Sequence, residues 1–438
     1  MFRVLALLAV FTGISGGQGQ TPQLRLQRQD EDWSQSTGER LKNLPLGQWR
    51  ISVGGDMRGR FEGFSNESTE GAPAESYLLQ RYMFHADMRY GDRVRFFLQL
   101  KSGLENGRSD GPRPTDKDSL DLHQGWAEFG ISKRLSLRIG RQEVALGSSR
   151  LVSIREAPNV RLSFDGASLR WESAAWRADL LALRPSQTNR GYFDNSPDFR
   201  QALWGVYTTW KSRNLDLYYL GLDRTGRRFD VGEGREQRHS FGSRWWRPAG
   251  HGIDYDFEGV WQGGRFGSGS INAWTAATNT GYTWEKTLFK PRAGLKADIT
   301  SGDRNPRDRS LGTFNALFPR GNYFSQADLL GPNNLMDVHP SLRLELARGF
   351  GLTVDADFFW RYSVRDGIYD IPGFLIVSGA GSQARPIGRA VKADFDWQVN
   401  RHLSLEAEFQ HFWAGEFLQE SGRDRPIRFF AAWVTYRF

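Results

Sequence analysis

Arginines separated by one residue recur along this chain, and their spacing suggests a binding chemistry. Arg58 and Arg60 lie in the stretch MRGRF, and Arg93 and Arg95 lie in DRVRF. In a β-strand, side chains two residues apart point to the same face, so each pair extends a charged stripe. A guanidinium binds both oxygens of a carboxylate through its planar fork. The pattern therefore favours anionic solutes.

Acidic residues with the same spacing suggest a second chemistry, because glycoside hydrolysis uses two carboxylates. Asp254 and Asp256 form such a pair, but on one strand this spacing merely places both acids on the same wall. His123 has no nucleophile motif nearby. Residues 303–308 (DRNPRD) offer oxygen ligands, yet the interleaved arginines and the missing final Glu depart from a calcium loop. We predict no enzyme activity and no cofactor.

The elements that must position these charges are β-strands. Residues 81–101 form two predicted strands around Gly91-Asp92, with Phe84 and Leu98 on the apolar faces and Arg81 and Gln99 on the opposite faces. Lipid on one side of a strand and water on the other produces this alternation. Eighteen such segments are predicted, at residues 48–61, 79–90, 93–103, 120–131, 134–145, 162–172, 175–185, 200–211, 214–224, 236–247, 253–263, 270–284, 292–301, 338–347, 350–363, 387–399, 402–413 and 427–438.

Short and long connections alternate between these segments. Two-residue turns such as 91–92 and 400–401 alternate with long stretches such as 146–161 and 302–337. An even number of strands with turns on one side and loops on the other is typical of an outer-membrane barrel. We predict an all-β, 18-stranded antiparallel transmembrane β-barrel of porin-like type, with short periplasmic turns and long extracellular loops. A soluble β-sandwich would need shorter strands and polar outer faces.

Both ends of the sequence fit an exported barrel. The first residues, MFRVLALLAVFTGISGGQGQ, have the basic, apolar and small-residue regions of a secretory signal peptide. We predict a signal peptide at 1–19, a periplasmic segment at 20–47 and the barrel at 48–438. The final strip, RFFAAWVTYRF, alternates to the last residue and is interpreted as the closing strand, with Tyr436 and Phe438 in the interfacial girdle. Although the formal net charge is +8, the basic residues are spread out, so we predict no nucleic acid as a partner. For a barrel of this type we predict outer-membrane lipid as a partner.

Four stretches resemble a known family. They are LSLRIGRQEVALGSSRLVSIREAPNVRLSFDGASLRW (135–171), the run from SGDRNPRD to LRLEL (301–346), DFFWRYSVRDGIYDIPG (357–373) and NRHLSLEAEFQHFWAGEFL (400–418). They are similar to the alginate-export family of outer-membrane channels. The resemblance implies an eighteen-stranded barrel that passes the polyanion alginate outward through a pore lined by arginines and acids. It also implies that the barrel-assembly machinery reads the terminal Phe.

The lumen is the predicted site. Strands one to three supply a basic wall, and closure sets it opposite acids of strand eleven, which produces a transverse field that concentrates anions. The resemblance adds the constriction residues near GRQE and SGDR. The predicted pore-lining residues are Arg58, Arg60, Arg89, Arg95, Arg138, Arg141, Arg150, Arg155, Arg292, Lys296, Arg304, Asp256, Asp298, Asp357 and Arg361.

The sequence is compatible with three functions. The first is the diffusion of hydrophilic anionic solutes, with export of an acidic polysaccharide such as alginate. The alternative is a substrate-selective uptake porin for small organic acids or sugars. The third is a structural or adhesive barrel that is plugged by loop 302–337.

Overall fold

The computed structural model describes residues 23–34, 36, 39–250 and 252–438, and it places eighteen long strands of that part of the chain in one antiparallel sheet. The predicted signal peptide lies outside the described residues. The strands are β1 Trp49–Phe64, β2 Glu75–Tyr90, β3 Val94–Asn106, β4 Asp118–Ser132, β5 Leu135–Gln142, β6 Phe164–Glu172, β7 Trp176–Pro185, β8 Gln201–Trp210, β9 Leu215–Phe229, β10 Gly232–Arg247, β11 Gly252–Phe266, β12 Gly269–Thr283, β13 Arg292–Thr300, β14 Leu335–Ala347, β15 Phe350–Arg361, β16 Pro386–Gln398, β17 Leu403–Ala414 and β18 Ile427–Arg437.

The sheet closes on itself between β1 and β18. Their register runs from Asp56 opposite Arg437 to Phe64 opposite Phe429. The first part of β1 pairs instead with a short strand, Leu44–Leu46. Each strand predicted from the alternation corresponds to one strand of this barrel, so the predicted fold class is confirmed.

Side chains on the two faces of the strands have opposite exposure. Phe84 on β2 and Phe430 on β18 are 47% and 45% exposed on the outer face, whereas Arg81 and Phe429, on the inner face of the same strands, are each 1% exposed. The residues that point outward are predominantly apolar and aromatic, as the lipid-facing surface of a barrel requires. The predicted assignment of inward and outward residues on these strands is therefore confirmed.

Nine connections lie on the extracellular side, and we number them L1 to L9 in chain order. Seven are loops, whereas L5 and L6 are tight turns of two residues, 230–231 and 267–268. The register of β9 against β10 shifts between Arg224 and Arg227, so a bulge interrupts the alternation where the strand continues. At L6 the chain reverses at Gly267, whose φ of +55° suits glycine.

Three of the loops fold into the barrel: L3 (143–163), L7 (301–334) and L8 (362–385). L7 adds a two-residue strand, Ser310–Leu311, that pairs in parallel with β12. L8 contains a small hairpin of Ile368–Tyr369 and Leu375–Val377 and a 3₁₀ turn at Gly379–Gly381. The remaining helical elements are a 3₁₀ turn at Arg28–Asp30 and the helix Glu416–Glu420 in L9. None of the helices in the described part of the chain is long and apolar enough to cross a membrane.

Apolar side chains of these loops pack against the inner wall in the extracellular half of the barrel. Val152 of L3 and Phe318 of L7 belong to one buried cluster with Leu203 of β8 and Leu220 of β9. Leu203 and Leu220 are thus apolar although they point inward, because loops rather than water cover this part of the inner wall.

Candidate pore constriction

L3 is fixed to the basic wall by arginines of the first two strands. Arg58 donates hydrogen bonds to the carbonyl oxygens of residues 156–158, at 3.0 to 3.2 Å. Arg81 forms an ion pair with Glu156 at 2.5 Å, and Arg161 pairs with the same carboxylate. Burial alone would raise the pKa of Glu156, but the guanidinium groups of Arg161, Arg81 and Arg58 outweigh it and hold the pKa well below its usual range.

Two further predicted pore residues hold the other inward loops. Arg60 donates to Oε1 of Gln326 in L7 at 2.8 Å and pairs with Glu62 at 2.6 Å. Arg361 is fully buried and donates to the main-chain oxygens of Ser382 and Ala384 in L8. With Arg58, these arginines satisfy main-chain oxygens that the inward loops would otherwise leave without donors. In the described part of the chain, these three arginines therefore hold L3, L7 and L8 against the barrel wall.

A third group of arginines binds the N-terminal segment, which we define as residues 23–34. Arg95 donates to the carbonyl oxygen of Gln29 at 2.8 Å, and Arg89 donates to that of Glu31 at 3.0 Å. Both arginines also pair with Asp87. This part of the predicted periplasmic segment therefore lies against lumen-facing side chains of β2 and β3.

Arg28 secures the N-terminal segment at the barrel seam. Its side chain is buried, pairs with Glu31 at 2.9 Å, and donates to the carbonyl oxygens of Gly55 at 3.2 Å and Phe438 at 2.7 Å. Gln29, the next residue, accepts a hydrogen bond from Gln124 of β4 at 3.0 Å. The segment thus reaches both edges of the seam and the inner wall.

L3 crosses the lumen and brings one arginine to the acidic wall. Arg150 lies 3.9 Å from the carboxylate of Glu258 on β11 and 3.8 Å from that of Asp298 on β13. Lys296 of β13 donates to the carbonyl oxygen of Tyr323 in L7 at 2.8 Å. We call the group of Arg150, Lys296, Asp298 and Asp337 the eyelet, because it joins L3 to the opposite wall. The arginine that faces the acidic wall at close range therefore comes from L3 and not from the predicted basic wall of strands one to three.

The acidic side of the eyelet presents carboxylates that the protein does not satisfy. Asp298 and Asp337 are directly opposite each other on β13 and β14. Both are buried, and none of their carboxylate oxygens accepts a hydrogen bond from the described residues. Asp357 on β15 contacts the ring of His339. Unsatisfied carboxylates beside a cation leave hydrogen-bonding capacity for a polar solute in transit.

Arg155 is the arginine of L3 whose guanidinium has no polar partner among the described residues. Its guanidinium forms no ion pair and no hydrogen bond with the described residues, and its Nε is buried. Its φ is +53°, a left-handed conformation that non-glycine residues seldom adopt. Burial lowers the pKa of Arg155, and the carboxylates of Asp328 and Asp370 act against this effect.

The remaining predicted residues lie apart from the eyelet and, with one exception, in ion pairs. Arg138 pairs with Glu128, Arg141 with Asp165, Asp256 with Arg244, and Arg292 with Asp254, whereas Arg304 is exposed in L7 and contacts the hydroxyl of Tyr362. The sequence alone did not indicate Arg161, Arg320 or Asp337. They lie at the end of L3, within L7 and on β14. The contacts of Arg161 and Arg320 depend on the paths of two loops that have no periodic pattern.

The comparisons with known proteins agree with this geometry. Residues 49–431 match the model of the family described as Alginate export. The chain belongs to the alginate export family. The resemblance predicted from the sequence is therefore confirmed, and membership of this family together with the closed barrel makes the chain an integral channel of the outer membrane. No curated protein matches the chain.

Several solved structures share the fold of this alginate export family member. Pseudomonas aeruginosa OccK2 (OpdF), crystallised in complex with glucuronate, has a TM-score of 0.60 at 11% identity, over 89% of this chain and 98% of that chain. Acinetobacter baumannii OccAB1 has a TM-score of 0.60 at 12% identity, over 88% and 96%. Pseudomonas aeruginosa OccK11 (OpdR) has a TM-score of 0.57 at 13% identity, over 92% and 99%. These likenesses show the fold.

Proposed function

We propose that the channel conducts hydrophilic anionic solutes past L3 and the eyelet, and that its cargo is an acidic polysaccharide such as alginate, passed outward. Membership of the alginate export family supports this cargo. The observation that carries the proposal is Arg155 of L3, a lumen cation that the protein itself leaves without an ion pair among the described residues. A carboxylate passing L3 would find both Arg155 and Arg150 within the same loop.

The polar groups of the eyelet match those of a sugar acid. A uronate carries one carboxylate and several hydroxyl groups. The carboxylate pairs with a guanidinium through two parallel hydrogen bonds, and the hydroxyl groups donate to acceptors such as the carboxylate oxygens of Asp298 and Asp337. Because the protein's own partners for Arg150 are 3.8 and 3.9 Å away, a solute competes for it against weak contacts. Weak and repeated contacts allow a solute to leave as well as to enter.

A second candidate is the uptake of small organic acids or sugars, and one observation favours it. L3 spans the lumen from Arg58 on β1 to Glu258 on β11, so a polymer strand would have to pass a loop that is held at both sides. A small monomer can pass beside L3 without displacing the loop. The third reading, a barrel plugged by L7, predicts no ion current.

Single-channel recording in planar bilayers tests the proposal. The wild type is expected to conduct and to prefer chloride over potassium. Replacing both Arg150 and Arg155 by Ala should lower the preference for chloride at least two-fold. The reason is that the substitution removes two cations whose contacts with the protein are weak or absent. Arg228, an exposed outward arginine at the end of β9, provides the matched control. A wild type that passes no current, or that prefers potassium, would contradict the proposal.

The length of the solute separates the two candidate cargoes. Mannuronate oligomers of increasing length are added to one side of the bilayer, and the duration of each current block is measured. Export of a polymer predicts blocks that lengthen with chain length and end in passage. Uptake of small acids predicts that only the monomer and short oligomers pass. Recognition of the last strand by the barrel-assembly machinery and removal of a signal peptide remain part of the proposal.

A further inference from the structure

A cationic cluster lies on the outer face of the barrel, where the other outward residues are mostly apolar. It consists of Arg389 on β16, His411 and Trp413 on β17, and Arg428 on β18. Arg389 is directly opposite Trp413, and His411 is directly opposite Arg428. The rings of His411 and Trp413 stack with centroids 4.0 Å apart, and the guanidinium of Arg389 lies 5.6 Å from the Trp413 ring. The four side chains therefore form one continuous surface.

The depth of this cluster follows from the strands that carry it. Arg389 is eight positions along β16 from Trp397, and Arg428 is eight positions along β18 from Tyr436, and both aromatic residues lie near the periplasmic ends of their strands. At about 3.3 Å per residue and a tilt of about 40°, eight positions rise about 20 Å. The apolar band of an outer-membrane barrel is about 25 Å tall. The Cα atoms of the two arginines thus lie about 5 Å below the extracellular edge of the lipid-facing surface, within reach of the headgroups for a long side chain.

The protein itself does not neutralise these charges. Neither Arg389 nor Arg428 forms an ion pair or a side-chain hydrogen bond with any described residue. Outward arginines elsewhere can be paired, as Arg235 is with Asp223. An unpaired cation facing lipid is unfavourable unless it meets a counter-charge at the headgroup level.

A groove next to Arg428 supplies space for the rest of a lipid. It has a volume of about 360 Å³, and Phe409 and Phe430, two outward aromatic residues, form part of its lining. The carboxylate of Glu75 also lines the groove, but it is already bound by Arg108 at 3.1 Å. The groove therefore combines an apolar surface with one unpaired guanidinium.

We propose that this cluster binds the phosphate group of a glycolipid in the outer leaflet. The guanidinium groups of Arg389 and Arg428 bind the phosphate oxygens, because their planar donors match that geometry. Trp413 lies between the two arginines and contacts the sugar, while Phe409 and Phe430 contact an acyl chain in the groove. The site lies on the lipid-facing surface and acts independently of the cargo in the lumen.

The test measures lipid binding to the purified channel in detergent by native mass spectrometry. The probes are bis-phosphorylated lipid A, the same lipid without phosphates, and inorganic phosphate. The R389Q/R428Q double variant should bind bis-phosphorylated lipid A about 30-fold more weakly than the wild type, because each basic residue near an anionic lipid contributes about a five-fold factor. The dephosphorylated lipid should bind equally to both proteins.

Two control variants guard against trivial outcomes. Arg265 is an exposed outward arginine at the extracellular end of β11, and R265Q should bind like the wild type. R389K/R428K keeps both charges and should stay within about five-fold of the wild type. Heat-modifiable migration on gels establishes that each variant is folded.

Three results would overturn the inference. The first is equal binding of bis-phosphorylated lipid A by the wild type and R389Q/R428Q. The second is equal binding of the phosphorylated and dephosphorylated lipids by the wild type. The third is displacement of the lipid by inorganic phosphate at equal concentration, which would identify the ligand as free phosphate. Ion current is expected to be the same in R389Q/R428Q and the wild type.

Discussion

The N-terminal segment is bound to the barrel seam and to the inner wall, and replacing Arg28 by Ala should release it. The guanidinium of Arg28 is buried with the carboxylate of Glu31 and donates to the main-chain oxygens of Gly55 and Phe438. The substitution removes all three contacts at once. It also leaves the Glu31 carboxylate buried without its cation.

The size of the effect follows from these contacts. Breaking a buried ion pair by removing one partner costs about 3–5 kcal/mol. Glu31 retains hydrogen bonds from the backbone of Arg25 at 2.8 Å and from Trp33 at 2.9 Å, so the lower end of that range is the appropriate value. A loss of about 3 kcal/mol raises the population of the undocked segment more than about 100-fold.

Thiol labelling measures the undocking directly, because the chain contains no cysteine. Ser36 lies just beyond the segment, is 7% exposed, and donates its backbone N–H to the carbonyl oxygen of Trp33 within the segment, so a Ser36→Cys background reports whether the segment opens. Arg28→Ala should raise the labelling rate by about 100-fold or more and increase the single-channel conductance. Arg25→Ala, whose side chain is exposed in the same segment, is the matched control. Unchanged labelling and conductance in Arg28→Ala would refute the reasoning.

Three further substitutions test how the inward loops are held. Glu156→Gln removes the carboxylate that Arg161 shares with the first strands, so current noise from L3 should increase at pH 7. Because the pKa of Glu156 is held below its usual range, the ion pairs that anchor L3 are complete above about pH 4.3 and are lost only as the pH falls below that value. The current noise of the wild type should therefore be as low at pH 5 as at pH 7. Asp366→Ala removes a buried acceptor for donors of both L7 and L8, and we expect about 2–4 kcal/mol less docking free energy and faster proteolysis of both loops. In Gly331→Ala the new Cβ would lie 1.9 Å from the carbonyl oxygen of Asp370, so L7 and L8 should separate there as well, whereas a wild-type proteolysis rate would show that the loops adapt.

The strand pattern predicted most of the fold, because residues of a lipid-facing strand alternate between an apolar outer face and a polar inner face. Arg81 and Phe84 lie on opposite faces of β2 as their parity predicted, since one faces lipid and the other the lumen. The rule fails where backbone geometry changes. At the bulge between Arg224 and Arg227 the parity shifts, and the strand continues to Phe229, beyond residue 224 where the predicted strand ended.

The constriction was harder to predict because its partners are main-chain atoms of loops. Arg58 lies on the inner wall as its parity predicted, but its hydrogen bonds go to carbonyl oxygens of residues 156–158, and any sequence offers such oxygens. Asp337 was not recognised because 38 residues separate it from Asp298, its neighbour across the sheet. Arg150 was included through the family resemblance, and its role in binding solute is a prediction that the bilayer measurements test.

The position of Arg28 also has a consequence for the order of assembly. One of its acceptors belongs to the first barrel strand and the other follows the last, so the two oxygens come together only after the cylinder has been sealed. The residues synthesised before the barrel are therefore among the last to find their native place. We therefore expect that the segment docks in the last step of assembly, after β1 has paired with β18.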